Sequence, residues 1–157
     1  MNNKRILSIP IVIGLLLVLA TSAFAATRTQ SVNPPVVGTW TMKIAKTANS
    51  PETNETMQTF SADGNYLETN NNAKAGSTGH GVWIGSGNTY LYTFQVFTSD
   101  EQGNYSGKRI ISGRIRMDGP DHYTGTASAD VVDLAGKVTK NAFAAAFEAT
   151  RMEVVLP

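Results

Sequence analysis

The sequence predicts a single all-β domain, an eight-stranded antiparallel up-and-down barrel, preceded by a cleaved signal peptide. From Val36 onward, Thr, Val, Ile, Tyr and Phe recur in short runs, a composition that favours strands. Short turn signals separate the runs, so neighbours in sequence should pair antiparallel. A long meander exposes two edges unless it closes, and strands of about ten residues suit a closed barrel of eight.

The first 25 residues have the layout of a secretory signal peptide. A positive "NNKR" precedes the apolar run "ILSIPIVIGLLLVLA", and "TSAFA" then places Ala23 and Ala25 at the small-residue positions before a cut. A membrane-spanning helix needs roughly 20 apolar residues, more than this run supplies. We therefore expect a signal peptide at 1–25, a flexible leader at 26–35 and the barrel at 36–157. The protein should then be exported, periplasmic or secreted, with no stable membrane insertion after cleavage.

The composition excludes several classes of chemistry. The chain has 157 residues and no Cys, which rules out disulfides, thiol nucleophiles and thiolate metal sites. Its formal net charge of +1 becomes about −1 once Lys4 and Arg5 leave with the signal peptide. The basic residues are scattered, and the densest stretch, "KRIISGRIR" at 108–116, is interpreted as the solvent face of a strand. We expect no nucleic-acid partner and no cofactor, and no pattern in the chain predicts the oligomeric state.

The predicted strands follow from alternation and turn chemistry. They are 36–46, 55–61, 65–70, 78–84, 89–98, 105–117, 122–132 and 137–155, the last with a bend near Ala142. Turns such as "ADGN" and "SDEQGN" place a polar residue ahead of a Gly, which adopts the positive φ that tight hairpins need. The stretch "KNAFAAAFEATRMEV" also has a helix-like composition. Strand is preferred because its residues alternate by type and because closure requires an eighth strand.

Alternation also predicts which side chains face the barrel interior. On the first strand the inward face carries Trp40, Met42 and Ile44, and on the fifth it carries Tyr90, Tyr92, Phe94 and Val96. One face of the seventh strand is nearly bare and consists of Tyr123, Gly125, Ala127 and Ala129. Such a face leaves room for a large neighbour across the core or for a ligand. The expected ligand-binding residues are Tyr90, Tyr92, Phe94, Tyr123 and Trp83.

The Gly-x-Trp of the first strand, within an eight-strand meander of this size, resembles the lipocalin and wider calycin group. The resemblance implies that Trp40 lies across the closed end of the barrel, that Gly38 precedes it, and that Arg151 of the last strand packs over the indole. A guanidinium over an indole face is a cation–π pair worth roughly 0.5–2 kcal/mol.

Three features depart from the lipocalin pattern. The sequence reaches Pro157 two residues after the last predicted strand, where lipocalins usually carry a helix; it has no Cys, and "DGPDH" replaces the second lipocalin motif before the seventh strand. The chain therefore looks more similar to a short lipocalin-like or allene-oxide-cyclase-like barrel.

Three side chains are weak candidates for catalysis. His80, between two glycines, could transfer protons near neutrality, and Glu68 inside an apolar barrel would have a raised pKa. Tyr92 is the third candidate. The alternatives are a His that hydrogen-bonds to a loop and a Glu that faces water; Glu148 and His122 are interpreted as exposed. Two distant His without acidic residues at ligand spacing predict no metal site.

Three functions remain open and are ranked. The first is an exported barrel that binds a small hydrophobic or aromatic ligand. The second is an allene-oxide-cyclase-like isomerase or cyclase acting on an unsaturated substrate. The third is a secreted interaction or inhibitor protein that uses loops 47–54 and 71–77 on a filled barrel. Binding ranks above catalysis because the aromatic and bare faces are the stronger signals.

Overall fold

The computed structural model describes residues 33–45, 54–71 and 76–156, and its regular structure within those ranges is entirely β. The strands are β1 Gly38–Ile44, β2 Asn54–Phe60, β3 Asn65–Asn70, β4 Gly79–Ser86, β5 Thr89–Ser99, β6 Tyr105–Met117, β7 His122–Asp133 and β8 Val138–Arg151. Each strand pairs antiparallel with the next, and β1 pairs with β8 to close the barrel. The predicted eight-stranded up-and-down barrel is confirmed. The predicted signal peptide, and the leader up to residue 32, lie outside the described residues.

The hairpin turns contain the Asp and Gly residues that were predicted to form them. Between β5 and β6, Asp100 Oδ1 accepts hydrogen bonds from the backbone N–H groups of Gln102 and Asn104, at 3.0 and 2.8 Å. Between β7 and β8, Asp133 Oδ1 accepts in the same way from the N–H groups of Ala135 and Lys137. The glycine that follows in each turn has a φ near +80°, where a side chain would be strained. These turns fix the pairing register of the long strands.

The eighth element is a strand with a bulge, not a helix. The register between β7 and β8 shifts at Ala129–Val131, and Asn141 has a φ of 48°. The side chain of Asp130 holds this irregularity: it accepts the Asn141 N–H at 2.9 Å and pairs with Lys140 Nζ at 2.6 Å. The bend predicted near Ala142 is therefore a β-bulge at the neighbouring residue.

The barrel closes where the two ends of the domain meet. β1 and β8 pair from Trp40 opposite Arg151 to Ile44 opposite Phe147. The inward and outward alternation of buried side chains runs through β1, β5 and the second half of β8, as predicted. No helix in the described ranges is long and apolar enough to span a membrane.

Candidate functional site

The first turn of the domain and the end of β8 together seal one end of the barrel. Trp40 is fully buried and donates its indole N–H to Val36 O at 2.9 Å. The guanidinium carbon of Arg151 lies 4.2 Å from the centroid of the Trp40 ring. Arg151 also donates to the backbone oxygens of Val37 and Pro120, at 2.9 to 3.1 Å, and pairs with Asp121 at 3.0 Å. One side chain thus ties β8, the β6–β7 turn and the segment before β1 together.

Gly38 is required by this arrangement. Its φ is +144°, and a Cβ built there would lie 2.3 Å from Arg151 Nη1. The space that a side chain would need is occupied by the guanidinium, so the glycine lets Arg151 reach the Trp40 ring and Val37 O.

Aromatic rings fill the half of the barrel above this seal. Tyr123 packs on Trp40, with ring centroids 4.7 Å apart, and Phe60 packs on Trp83 at 6.1 Å. Trp83 donates its N–H to Ser61 O at 2.9 Å, and the Tyr90 hydroxyl donates to Gly87 O at 2.6 Å. This half is a packed core.

A cavity of about 180 Å³ occupies the opposite half of the barrel. Aromatic side chains of β5 and β8 line it, namely Tyr92, Phe94, Phe143 and Phe147. Alanines of β7 and β8, which present only a methyl group, also line it, and they include Ala127, Ala129 and Ala145. The two halves differ because the large inward side chains concentrate towards the Trp40 end, which leaves the alanine-rich ends of β7 and β8 facing space.

Three aromatic rings of the cavity wall each lie over a glycine of a neighbouring strand. A Cβ at Gly79 would come within 2.5 Å of the Phe94 ring, and a Cβ at Gly113 or Gly125 would come within 2.4 Å of the Tyr92 or Phe147 ring, respectively. The bare face of the seventh strand thus has two roles. Gly125 accommodates a large neighbour, whereas Ala127 and Ala129 border the cavity.

Polar side chains of β2 and β3 form a connected group beside the cavity. The Tyr66 hydroxyl donates to Glu68 Oε2 at 3.2 Å, and the Tyr123 hydroxyl donates to Gln58 Oε1. The Gln58 amide lies opposite Glu68 in the sheet and contacts Met42 Sδ at 3.1 Å. Thr56, two residues before Gln58, also lines the cavity, and its Oγ1 has no hydrogen-bond partner among the described residues.

The carboxyl group of Glu68 has a pKa close to neutral pH. Burial raises its pKa from 4.5 to about 7, and hydrogen bonds from Tyr66 and Gln58 oppose that shift. Burial also raises the pKa of the Tyr66, Tyr92 and Tyr123 hydroxyls, which therefore stay neutral near pH 7. Glu68 is the buried acid of the cavity wall, and small changes in its surroundings decide whether it carries charge.

Arg109 lines the same cavity from β6. Its guanidinium carbon lies 5.2 Å from the centroid of the Phe143 ring, and burial lowers its pKa. The interpretation of 108–116 as a solvent face holds for Arg114 and Arg116, which are exposed, but Arg109 is on the inner face of the same strand.

The structure separates the predicted site residues into groups. Tyr92, Phe94 and Glu68 line the cavity. Tyr90, Trp83 and Tyr123 do not, because they lie deeper, in the packed half, where their rings fill the core. Two of the five aromatic residues expected to bind a ligand therefore line this cavity, and ligand binding by any of the five stays a prediction.

The two histidines lie away from the cavity. His80 is exposed on the outer face of β4, so it is not placed for proton transfer inside the barrel. His122 Nδ1 lies 2.7 Å from Asp118 Oδ1 at a turn, with a half-exposed side chain, and Glu148 is exposed. Within the described ranges, no group of three or more His, Cys, Asp or Glu is arranged to hold a metal ion.

Comparisons with known proteins leave the family open. No family model matches the chain, and no curated protein matches it. A solved structure, "Structure of EF1p2_mFAP2b bound to DFHBI", is similar at 16% identity with a TM-score of 0.46, over 75% of this chain and 94% of that chain. A similarity of this degree says nothing about the ligand of this protein. The likeness to lipocalins and calycins therefore remains a prediction.

Proposed function

We propose that this protein binds one small apolar ligand, about the size of a single substituted ring, in the hollow half of its barrel. The observation that carries the proposal is the cavity of about 180 Å³ between aromatic rings and alanine methyl groups. An apolar cavity of about 150 Å³ in another protein stays dry and binds benzene. The volume here therefore suits one ring with a small substituent, and it is too small to enclose a long-chain lipid.

The walls supply most of the expected affinity. A ring buried in the cavity loses contact with water, and contacts with the aromatic side chains add about 0.5–1.5 kcal/mol beyond burial. For a ligand with so few atoms we expect a Kd between roughly 1 μM and 1 mM.

A pair of neighbouring alanines on β8 provides a matched test. Ala145 lines the cavity, whereas Ala146 is exposed on the outer face of the barrel. Titration of the wild-type protein with toluene, followed by NMR chemical shifts, should saturate. Ala145→Leu should fill the cavity and abolish binding, and Ala146→Leu should bind as the wild type does. Absence of binding to the wild type, or equal loss in both variants, would contradict the proposal.

Material from the native host would show what the cavity carries. Native mass spectrometry of the purified mature protein, followed by organic extraction, should detect a one-ring compound. A bound long-chain lipid would contradict the size argument.

We also propose that the protein is exported. The positive start, the apolar run and the small residues Ala23 and Ala25 support this proposal. The intact mass of the protein from its host should correspond to a chain that begins at Ala26. A full-length mass in the cytoplasmic fraction would overturn it.

A second candidate function, isomerisation of an unsaturated substrate, is favoured by one observation. Glu68 lines the cavity with a pKa of about 7, a value suited to a general base near neutrality. Deuterium incorporation from D₂O into cyclohexanone, followed by NMR, would reveal proton abstraction. The wild type should accelerate the exchange and Glu68→Gln should not.

The third candidate, a protein that acts through its loops, depends on segments at 47–54 and 71–77. Most of both segments lies outside the described residues. Loss of partner binding on their mutation would support it.

A further inference from the structure

The cavity wall contains a buried hydroxyl that has no partner. Thr56 is 2% exposed, and its Oγ1 makes no hydrogen bond to any described residue. Buried polar atoms in native proteins are almost always paired, because an unpaired one costs folding free energy. Thr56 is among the residues that line the cavity, so a bound molecule that reaches its Oγ1 would supply that partner.

Glu68 presents a second polar group to the same space. Thr56 pairs with Asn70 and Gln58 pairs with Glu68 across β2 and β3, so Thr56 and Glu68 are diagonal neighbours on the inner face. Hydrogen bonds from Tyr66 and Gln58 already reach the Glu68 carboxyl. A carboxylate readily accepts a third donor, and a ligand on the cavity side could supply it.

The cavity wall holds groups of both signs, because Arg109 and the acid Glu68 both line it, so the wall as a whole favours neither an anion nor a cation. Arg109 lines the same small cavity, so an ammonium group would lie close to a guanidinium. A ligand carboxylate placed at Thr56 would instead lie next to Glu68. Among the described residues, the other titratable side chains that interact with Glu68 are Tyr66, Tyr92 and Tyr123, whose hydroxyls are neutral near pH 7.

We propose that the ligand carries an uncharged hydroxyl on its ring, as a phenol does, which donates to Glu68 and accepts from Thr56. This inference rests on the proposed function, since it names the polar group of the same ligand. The ring occupies the cavity among the aromatic and alanine side chains, and its hydroxyl points to β2 and β3. The pair of Thr56 and Glu68 thereby selects a hydroxylated ring over the plain hydrocarbon.

Binding of such a ligand should depend on pH. An ionised carboxylate is the stronger acceptor for a phenolic O–H, so the ligand favours the charged form of Glu68. Because the pKa of Glu68 in the empty barrel is about 7, affinity should fall as pH drops below 7, by at most about tenfold for each pH unit. The probe itself stays neutral, since phenols titrate near pH 10.

Three probes of similar shape separate this inference from the proposed function. They are 4-methylphenol, 4-methylanisole, which lacks the O–H, and toluene, titrated into the wild-type protein at pH 5.5 and pH 8.5. At pH 8.5 we expect 4-methylphenol to bind about tenfold more tightly than 4-methylanisole. The advantage should shrink at pH 5.5, and the other two probes should show no pH dependence. If all three bind equally at both pH values, the hydroxyl site is overturned while the cavity function stands. If none binds, both fail.

Variants test each polar group. Glu68→Gln should remove the pH dependence and weaken the binding of 4-methylphenol about tenfold at pH 8.5, which is more than it weakens the binding of toluene. Thr56→Val should weaken the binding of 4-methylphenol about threefold to tenfold. Thr124→Val, on the exposed face of β7, should have no effect on that binding. Two further probes, 4-methylbenzylamine and 4-methylbenzoate, test the charge argument. Tighter binding of either one than of 4-methylphenol would overturn the inference.

Discussion

Replacement of Gly38 by alanine is expected to destabilise the barrel by about 3 kcal/mol, because the new methyl group and the Arg151 guanidinium need the same space. The added Cβ would lie 2.3 Å from Arg151 Nη1, and the backbone at Gly38 has a φ of +144°. Real Cβ atoms do not approach other heavy atoms so closely, so either the guanidinium or the backbone must move.

The magnitude follows from the contacts that Arg151 would lose. A φ in this region costs a residue with a side chain about 1–3 kcal/mol. Displacement of Nη1 breaks its hydrogen bond to Val37 O, and a hydrogen bond from a charged donor is worth about 1.5–3 kcal/mol. The cation–π contact with Trp40 contributes about 0.5–2 kcal/mol more if the guanidinium also leaves the ring. A loss of about 3 kcal/mol is therefore a low estimate, equivalent to roughly 10 °C in Tm for a domain of this size.

A double-mutant cycle, followed by urea unfolding, measures the coupling free energy between Gly38 and Arg151. Gly38→Ala, Arg151→Ala and the double variant are unfolded together with Gly119→Ala, a control at a position with open space around it. In the Arg151→Ala background, the cost of Gly38→Ala should fall to the backbone strain alone, which leaves a coupling energy of about 1.5–3 kcal/mol. Additive effects would show that the guanidinium is not what excludes a side chain at Gly38, and the reasoning would fail.

Three further substitutions test the cavity wall. The pKa of Glu68 is raised from 4.5 to about 7, so between these pH values the folded protein binds more protons than the unfolded chain. The free energy of unfolding should therefore fall by about 3 kcal/mol as pH rises from 4.5 to 7. Glu68→Gln should remove this fall, and an unchanged slope in urea unfolding across pH would contradict the assignment. Thr56→Val should raise stability by up to about 1 kcal/mol, since it removes an unpaired buried hydroxyl, and a lower Tm would show that the hydroxyl is paired. Gly113→Ala places a Cβ 2.4 Å from the Tyr92 ring and should cost about 1–3 kcal/mol, whereas an unchanged Tm would mean that the ring moves freely.

Local sequence patterns were sufficient to predict the fold. The alternation in "TYLYTFQVFT" predicts the inner face of β5, which is buried at every second residue. Asp and Gly in the turns predict the hairpins, and these form with the expected backbone geometry. The bulge at Asn141 was predicted only as a bend, because it depends on the side chain of Asp130, eleven residues away.

The candidate site was predicted less completely, because alternation gives the face of a residue but not its depth in the barrel. Tyr90 and Tyr92 share a face, yet Tyr90 lies in the packed half and Tyr92 in the cavity wall. Depth depends on strand tilt and register, which arise only on closure. Thr56 and Arg109 were missed because polar residues are expected to face solvent. The alternation in "ETMQTF" does place Thr56, Gln58 and Phe60 on one face, and this signal could have identified the polar wall.

The contact between the two ends of the domain has a consequence for how the chain folds. The hydrogen bond from Arg151 to Val37 joins residues 114 positions apart, and β1 and β8 are the pair of adjacent strands that are not consecutive in sequence. Hairpins among β5 to β8 can therefore form early, but the barrel can close only after the last strand has been synthesised. Until then the meander retains two open edges, which are able to pair with other chains. The folding rate, and the yield when the protein is made rapidly, should thus be limited by the docking of β8 on β1.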